Sequence, residues 1–149
     1  MKRNFSHLNA AGAAHMVNVG PKPIQRRRAT AEGKLVCQPA TIRALKKKAL
    51  PKGDVLTVAQ IAGIQGAKRT SELIPLCHPL VLNHVELSFK VRRAAIEIMC
   101  TVETSAPTGV EMEALAGVSV AALTLYDMCK AVDKTMRIEG VRVVKKVKI

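Results

Sequence analysis

The stretch VEMEALAGVSVAALTLYDMCKAVDK, Val110 to Lys134, decides the fold of this chain. Its middle, Ala114 to Tyr126, carries no charged side chain and places apolar residues on nearly every side of a helical projection. A helix of this kind is buried on more than one face. Because charged residues close both ends and the apolar run is shorter than the roughly 20 residues that cross a bilayer, we expect a core helix and not a membrane span.

The composition bounds the class of protein. The 149 residues suit one domain with a substantial core. A net charge of +13 attracts polyanions such as nucleic acid, phospholipid or a nucleotide triphosphate. The chain has no Trp, one Tyr and two Phe, which disfavours proteins that stack single-stranded bases. Four cysteines without a CxxC pair, and no evident signal peptide, predict a reduced protein of the cytoplasm.

Alternation and capping signals predict the remaining elements. Small or apolar residues alternate with polar ones from Gln25 to Val36, as in a half-buried strand. A short helix is expected near residues 39–49, and a second runs from its N-cap at Asp54 towards Arg69. Two alternating runs joined at Arg92-Arg93-Ala94 predict a hairpin, and Met136 to Val147 is again typical of a strand.

The order of these elements is strand, helix, strand, strand, helix, strand. It predicts an α+β, ferredoxin-like (βαββαβ) fold, in which an antiparallel sheet carries its helices on one face and the small helix near residues 39–49 is an insertion. We expect residues 1–14 to form a flexible arm and residues 15–149 a single domain. Two layers cover only one face of the central helix, so its surplus apolar face predicts a subunit interface.

The polar ends of the central helix invite two interpretations. Asp127 and Lys130 lie three residues apart and share a helix face. They form either an ordinary ion pair near the helix C-terminus or a general acid and base, in which partial burial lowers the pKa of the lysine. At the other end, Thr108 and Glu111 have the spacing of a capping box, which leaves Glu113 without a capping role.

Helix geometry limits how these ends can cooperate. Glu113 and Asp127 are 14 residues apart, which places them about 21 Å from each other along one helix. Both cannot act on one reacting atom of a small substrate. If both ends serve catalysis, each pocket combines the helix start of one subunit with the helix end of another, as a two-fold pairing allows.

A loop between two prolines carries Leu76, Cys77 and His78, and loops constrained in this way often carry function. Cys77 and His78, even with His84, do not have the spacing of a structural zinc site, so we expect no metal. His78 is either a hydrogen-bonding loop residue or a ligand contact and proton shuttle.

Several basic residues are either solvated charges or phosphate ligands. Lys52 stands between a proline and a glycine, where a cation can approach a phosphate closely. Lys68 and the arginine run 26–28 have the same two interpretations. Because the chain has no Walker A or GxGxxG motif, a triphosphate would have to be held by side chains.

Two long blocks carry a family resemblance: KGDVLTVAQIAGIQGAKRTSELIPLCHPL, Lys52 to Leu80, and TGVEMEALAGVSVAALTLYDMCKAVDK, Thr108 to Lys134. Together with AHMVNVGPK and RRATAEG nearer the start, they resemble the cyclic pyranopterin monophosphate synthases of molybdenum cofactor biosynthesis. The resemblance covers nearly the whole chain. It implies a ferredoxin-like subunit in a homohexamer, built as a trimer of dimers with active sites at the dimer interface, and no cofactor.

The resemblance also implies a lyase-type reaction. The substrate would be 3′,8-cyclo-7,8-dihydroguanosine 5′-triphosphate, made from GTP by a separate radical enzyme, and the products cyclic pyranopterin monophosphate and diphosphate. The implied catalytic positions are Asp127, Lys52 and Lys130. The implied substrate-binding positions are Leu76, Cys77, His78, Met112, Glu113 and Glu111, with Arg27, Lys68 and Lys146 as triphosphate contacts. Asn18 and Pro107 depart from the family's usual aspartate and lysine.

Two other classes of function stay open on the sequence. One is a relative that binds purine nucleotide or nucleic acid without turnover, although the small number of aromatic residues means that we expect no nucleic acid partner. The other is a purely structural role in assembly, for which an apolar helix face would suffice.

Overall fold

The structure, a computed structural model, describes residues 5–48, 50 and 53–149. Its strands form one four-stranded antiparallel sheet in the order β2-β3-β1-β4: β1 (Gln25–Val36), β2 (Leu82–Val91), β3 (Ala95–Ala106) and β4 (Arg137–Lys148). The helices are α1 (Pro39–Lys46), α2 (Val55–Lys68), α3 (Thr70–Leu73) and α4 (Glu111–Cys129). The predicted ferredoxin-like fold is confirmed.

Strand β1 lies in the middle of the sheet, between β3 and β4. Its residues Ala29, Ala31 and Leu35 are at most 1% exposed and belong to the core that the helices cover. Ala31 pairs with Cys100 of β3 on one side and with Val143 of β4 on the other. The small or apolar residues that alternate with polar ones in the sequence of β1 therefore lie on the face of the sheet that the helices cover.

Helix α4 packs between the sheet and α2. Val118, Ala121 and Leu125 are fully buried. Helix α2 approaches closely because it presents glycines: a Cβ added at Gly66 would lie 2.7 Å from Val120 Cγ2. Helix α2 thus covers part of the apolar face that a two-layer domain would leave open, while Leu123 remains 59% exposed.

By length and composition alone, α4 is also long and apolar enough to cross a membrane. An 18-residue window has a mean hydropathy of 1.3. Half of that window is buried inside the molecule, as in the core helix of a globular domain. The packing of α4 agrees with the sequence-based expectation of a core helix.

The predicted capping box at the start of α4 is wrong. The helix begins at Glu111 with Val110 as its N-cap residue, and no side chain caps it. The carboxylate of Glu111 lies instead 2.6 Å from Lys146 Nζ of β4. A tertiary ion pair has replaced the local cap. The other predicted cap is confirmed, because Asp54 accepts a hydrogen bond from the Thr57 amide of α2 at 3.2 Å.

Other element boundaries differ from expectation. The inserted helix ends at Lys46, earlier than residue 49, and Lys48 has a left-handed φ of 52°. Helix α3 is not apparent in the sequence pattern. It follows α2 directly because the Thr70 hydroxyl donates to the Ala67 carbonyl at 2.9 Å, which turns the chain tightly at the end of α2.

Asp133 joins the segment after α4 to the start of α1. It is 3% exposed. One carboxylate oxygen accepts from the Gln38 amide at 2.9 Å and the Thr41 hydroxyl at 2.8 Å. The other accepts from the amide and hydroxyl of Thr135 at 2.9 and 2.8 Å. Burial favours the neutral acid, but these hydrogen bonds outweigh it and lower the pKa of Asp133 to about 2.

Replacing this carboxylate should weaken the fold in a pH-dependent way. A pKa lowered from 3.8 to about 2 means that ionised Asp133 stabilises the fold above pH 3.8, and that this contribution is lost as the pH falls towards 2. Asp133→Asn should therefore cost about 2 kcal/mol of unfolding free energy near neutral pH. Urea unfolding at a series of pH values would measure this. A deficit of the same size in acid would show that the charge of Asp133 is not what stabilises the fold.

Candidate functional site

A cavity of about 250 Å³ opens where the start of α4 meets the loop after α3 and the N-terminal segment. Its lining residues come from three parts of the chain: Leu76, Cys77, His78 and Leu80; Thr108, Gly109, Glu111, Met112 and Glu113; and Ser6, His7, Val17, Val19 and Lys22. The six positions in 76–78 and 111–113 that the resemblance implies for substrate binding all lie here. Packing brings together residues that are more than thirty positions apart.

A larger cavity of about 550 Å³ lies on the polar face of the sheet and contains none of the expected positions. Four of its charged side chains are paired with one another. Arg142 Nη2 lies 2.8 Å from Glu32 Oε1, and Lys34 Nζ lies 3.8 Å from Glu139 Oε2. The smaller cavity, which combines apolar side chains with polar ones such as His78 and Glu113, is the better ligand site.

The loop that carries Cys77 and His78 is held in place by hydrogen bonds. The Cys77 amide donates to the Ile74 carbonyl at 3.1 Å, and His78 Nε2 lies 2.7 Å from the Val17 carbonyl oxygen. Burial, and then the neighbouring Glu113, raise the pKa of the Cys77 thiol. A raised thiol pKa favours the neutral form of Cys77 over the nucleophilic thiolate.

The cysteines and histidines do not assemble into a metal site in the described part of the chain. Within residues 5–48, 50 and 53–149, no three His, Cys, Asp or Glu side chains are grouped so that they could hold a metal ion. All four cysteines are unpaired, and Cys37, Cys100 and Cys129 are buried. His84 lies exposed on β2 and does not line the cavity with Cys77 and His78.

The two carboxyl groups at the start of α4 differ in charge state. Glu113 is 5% exposed, and burial, with a smaller contribution from Glu111, raises its pKa to about 6. Burial acts on Glu111 in the same direction, but the hydrogen bond to Lys146 and the nearby Arg27 hold its pKa below the usual value. One carboxyl can thus gain or lose a proton near neutrality while the other stays ionised.

Two of the three expected triphosphate contacts reach this end of α4. Arg27 donates from Nε to the Ala106 carbonyl and from Nη2 to the Pro107 carbonyl, both at 3.3 Å, and so holds the segment that leads into α4. Lys146 pairs with Glu111. Lys68 is exposed in the last turn of α2 and lines neither cavity.

The other end of α4 carries the expected catalytic pair. Lys130 Nζ lies 2.8 Å from Asp127 Oδ1, and both side chains are more than half exposed. In the single chain the hydrogen bond to Asp127 raises the pKa of Lys130, as in an ordinary ion pair, whereas the acid–base interpretation expected burial to lower it. Neither residue lines the cavity around Glu113. The third expected catalytic residue, Lys52, lies outside the described residues.

Sequence reasoning missed the contribution of the N-terminal segment. Ser6 and His7 line the cavity, although residues 1–14 were expected to form a flexible arm and neither residue was named as a site residue. Asn18 shapes the neighbouring turn, since its side-chain oxygen accepts a hydrogen bond from the Gly20 amide at 2.9 Å. The sequence did contain a signal, because apolar Val17 and Val19 alternate with polar Asn18, as in an extended segment packed on one side. In the structure, Val17 and Val19 are half-buried and Asn18 is exposed.

Residues 16–148 match the MoaC family. The chain belongs to the MoaC family. This MoaC-family chain is 57% identical over 144 residues to a cyclic pyranopterin monophosphate synthase of Chloroflexus aggregans, covering 95% of this chain and 87% of that protein. It is 49% identical over 148 residues to a protein of the same name from Natranaerobius thermophilus, covering 98% and 93%.

A third relative carries the MoaC-family region within a longer protein. The molybdenum cofactor biosynthesis bifunctional protein of Chlorobaculum tepidum is 56% identical over 138 residues, which cover 93% of this chain but 44% of that protein. Relatives with these names place the family in molybdenum cofactor biosynthesis.

The buried Glu113 should lower stability at neutral pH. Its pKa rises from 4.5 in the ordinary case to about 6 in the folded chain, so stability is lost as the pH rises through this window. Glu113→Gln should therefore raise the unfolding free energy by up to ~2 kcal/mol above pH 6 and by nearly nothing below pH 4.5. Thermal unfolding at pH values on either side would measure the difference.

Glu111→Gln is the matched control for this prediction. It removes a carboxylate whose ionised form is stabilised by Lys146, so it should destabilise the protein at neutral pH instead. If Glu113→Gln gave the same change in stability at every pH, Glu113 would not be the group that titrates.

Proposed function

We propose that this chain is a cyclic pyranopterin monophosphate synthase, which converts 3′,8-cyclo-7,8-dihydroguanosine 5′-triphosphate to cyclic pyranopterin monophosphate with release of diphosphate. The observation that carries the proposal is the cavity that joins residues 76–78 to residues 111–113. Relatives that bear this enzyme's name match nearly the whole chain at 49–57% identity. Both the family and the grouping of these six residues around one cavity therefore support the proposal.

The chemistry of such a conversion sets what the site must supply. A triphosphate becomes a cyclic monophosphate when a substrate hydroxyl forms a new bond to the α-phosphorus and the bond from that phosphorus to the departing diphosphate breaks. The hydroxyl must lose a proton, and negative charge builds up on the leaving diphosphate. A base or shuttle and several cations are therefore needed close to one phosphate.

We assign the two ends of α4 to these tasks. Glu113 and His78 line the cavity and are suited to hydrogen-bond the purine-derived ring. Asp127 orients Lys130, its ion-pair partner. Lys130 and Lys52 handle proton transfer and the developing phosphate charge, and Arg27 and Lys146 lie at the edge where the triphosphate would enter.

The separation of these ends supports a site shared between two chains. One helix holds Glu113 and Asp127 about 21 Å apart, as the rise of 14 helical residues requires. The pair Asp127–Lys130 is exposed in the single chain and lines neither cavity. A second copy that packed its helix antiparallel to the first would bring its own Asp127 and Lys130 to the cavity.

The proposal also covers the oligomeric state of the enzyme and its place in the cell. Such two-fold sites fit a homohexamer built as a trimer of dimers, in which residues 15–149 form the catalytic domain and the arm of residues 1–14 adds Ser6 and His7 to the cavity wall. The enzyme would work in the cytoplasm, downstream of a radical enzyme that cyclises GTP. Its substrate is a small purine triphosphate, which the net charge of +13 attracts.

Turnover can be tested directly. The purified chain, supplied with the cyclised guanosine triphosphate, should release diphosphate, and Asp127→Ala should reduce the rate by roughly 100-fold or more because Lys130 loses its partner. Glu86→Gln, on the exposed face of β2, is the control and should release diphosphate at the wild-type rate. Tight nucleotide binding by the wild type without diphosphate release would instead show a non-catalytic relative.

Mixing of inactive subunits tests whether the site is shared. Chains with Glu113→Ala and chains with Asp127→Ala, co-expressed, should regain roughly a quarter of wild-type activity, because half of the dimers are mixed and each mixed dimer has one intact site. The control mixture combines Asp127→Ala with Lys130→Ala, whose defects lie at the same helix end, and should regain none. Equal results in the two mixtures would show that each site is made by one chain.

A further inference from the structure

His78 is the one cavity residue whose side chain is hydrogen-bonded to the main chain of the N-terminal segment in the described structure. Its Nε2 lies 2.7 Å from the carbonyl oxygen of Val17, which is 61 residues away in sequence. A carbonyl oxygen can only accept a hydrogen bond. Nε2 must therefore carry the hydrogen, so the contact excludes the neutral form of the ring whose hydrogen is on Nδ1.

In the neutral ring, the hydrogen-bonding role of the other nitrogen, Nδ1, is then fixed as well. In a neutral imidazole with its hydrogen on Nε2, Nδ1 has a lone pair and accepts. No described residue is hydrogen-bonded to Nδ1 of His78. The ring lines the same cavity as Glu113 and Met112, so a ligand there meets a histidine whose bonding direction is already set.

We propose that the Val17 carbonyl is a positioning group of the site, which holds His78 as the Nε2–H form so that Nδ1 accepts a hydrogen bond or a proton from the substrate. The inference rests on the proposed function and deepens it. Catalysis gains from a group whose orientation and proton are set before the substrate binds. The segment around Val17 is then part of the catalytic apparatus, and not only the edge of a flexible arm.

The structure around Val17 is suited to hold this carbonyl in place. Val17 and Val19 are half-buried and line the cavity with His78. Asn18 between them accepts from the Gly20 amide at 2.9 Å, and the Lys22 amide donates to the Val19 carbonyl at 3.0 Å. The His15 amide donates to the His7 carbonyl at 2.8 Å on the other side. Hydrogen bonds on both sides thus fix the segment.

Nitrogen NMR of the histidine rings in the full-length wild type tests the inference without any assay of activity. Long-range proton–nitrogen correlations distinguish a protonated ring nitrogen from a bare one. When its ring is neutral, His78 should show a protonated Nε2 and an unprotonated Nδ1, and the Nδ1 signal should shift when the cyclised guanosine triphosphate is added. A bare Nε2 would overturn the inference.

Two variants of His78 separate its hydrogen bond to the Val17 carbonyl from the accepting role of its Nδ1. The amide nitrogen of Gln reaches near the position of Nε2, so His78→Gln can keep the hydrogen bond to Val17 but lacks Nδ1. His78→Asn places its amide near Nδ1 and loses the bond to Val17. We expect His78→Gln to lower kcat by roughly 100-fold while amide exchange of residues 15–19 stays as in the wild type. His78→Asn should speed that exchange and raise KM.

The outcomes also separate this inference from the proposed function. If the wild type releases no diphosphate, the proposed function fails, whatever the NMR shows. If it releases diphosphate but the two variants change kcat, KM and amide exchange equally, the positioning role of Val17 fails by itself. Faster exchange in His78→Gln than in His78→Asn would likewise overturn it.

Discussion

The burial of the middle of α4 is the constraint on which the rest of the structure depends. Val118, Ala121 and Leu125 are enclosed by the sheet and by α2, so the helix cannot bend or shift to bring its ends together. The charged residues of α4 occur only near its two ends, outside the stretch Ala114 to Tyr126. The cavity forms at one such place and the exposed ion pair Asp127–Lys130 at the other.

Each end of α4 is fixed by a different tertiary contact. At its start, Glu111 pairs with Lys146, which ties the helix to β4. After its end, Asp133 bonds to the first residues of α1, which leads in sequence towards Lys52. Both contacts use a buried or half-buried carboxylate that stays ionised. What the two contacts share is an ionised carboxylate that accepts hydrogen bonds from another part of the chain.

Local pattern was enough to predict most of the fold. The strand over Gln25–Val36, the cap at Asp54 and the hairpin at residues 92–94 each depend on neighbouring residues, whose spacing is visible in the sequence. The predicted capping box is absent because Glu111 forms an ion pair with Lys146 of β4, more than thirty residues away in sequence. Helix α3 was missed because four residues are too few to show a period.

The site was predictable only in part, for a related reason. The resemblance implied the residues at 76–78 and 111–113, and packing brings them into one cavity. His7 and Val17 were not found, because their role comes from where the N-terminal segment packs and not from any motif. A main-chain carbonyl is present at every residue, so no sequence pattern distinguishes the one at Val17.

The central position of β1 also has a consequence for how the chain acquires its fold. Gln25 to Val36 pair with residues 95–106 on one edge and with residues 137–148 on the other, so both ladders close large loops. A sheet built from such distant pairings forms slowly compared with helical domains of similar size. While a ribosome is still making β4, one side of β1 has no strand to pair with. In that interval the nascent chain exposes an open strand edge to which other chains can add, until β4 pairs with β1.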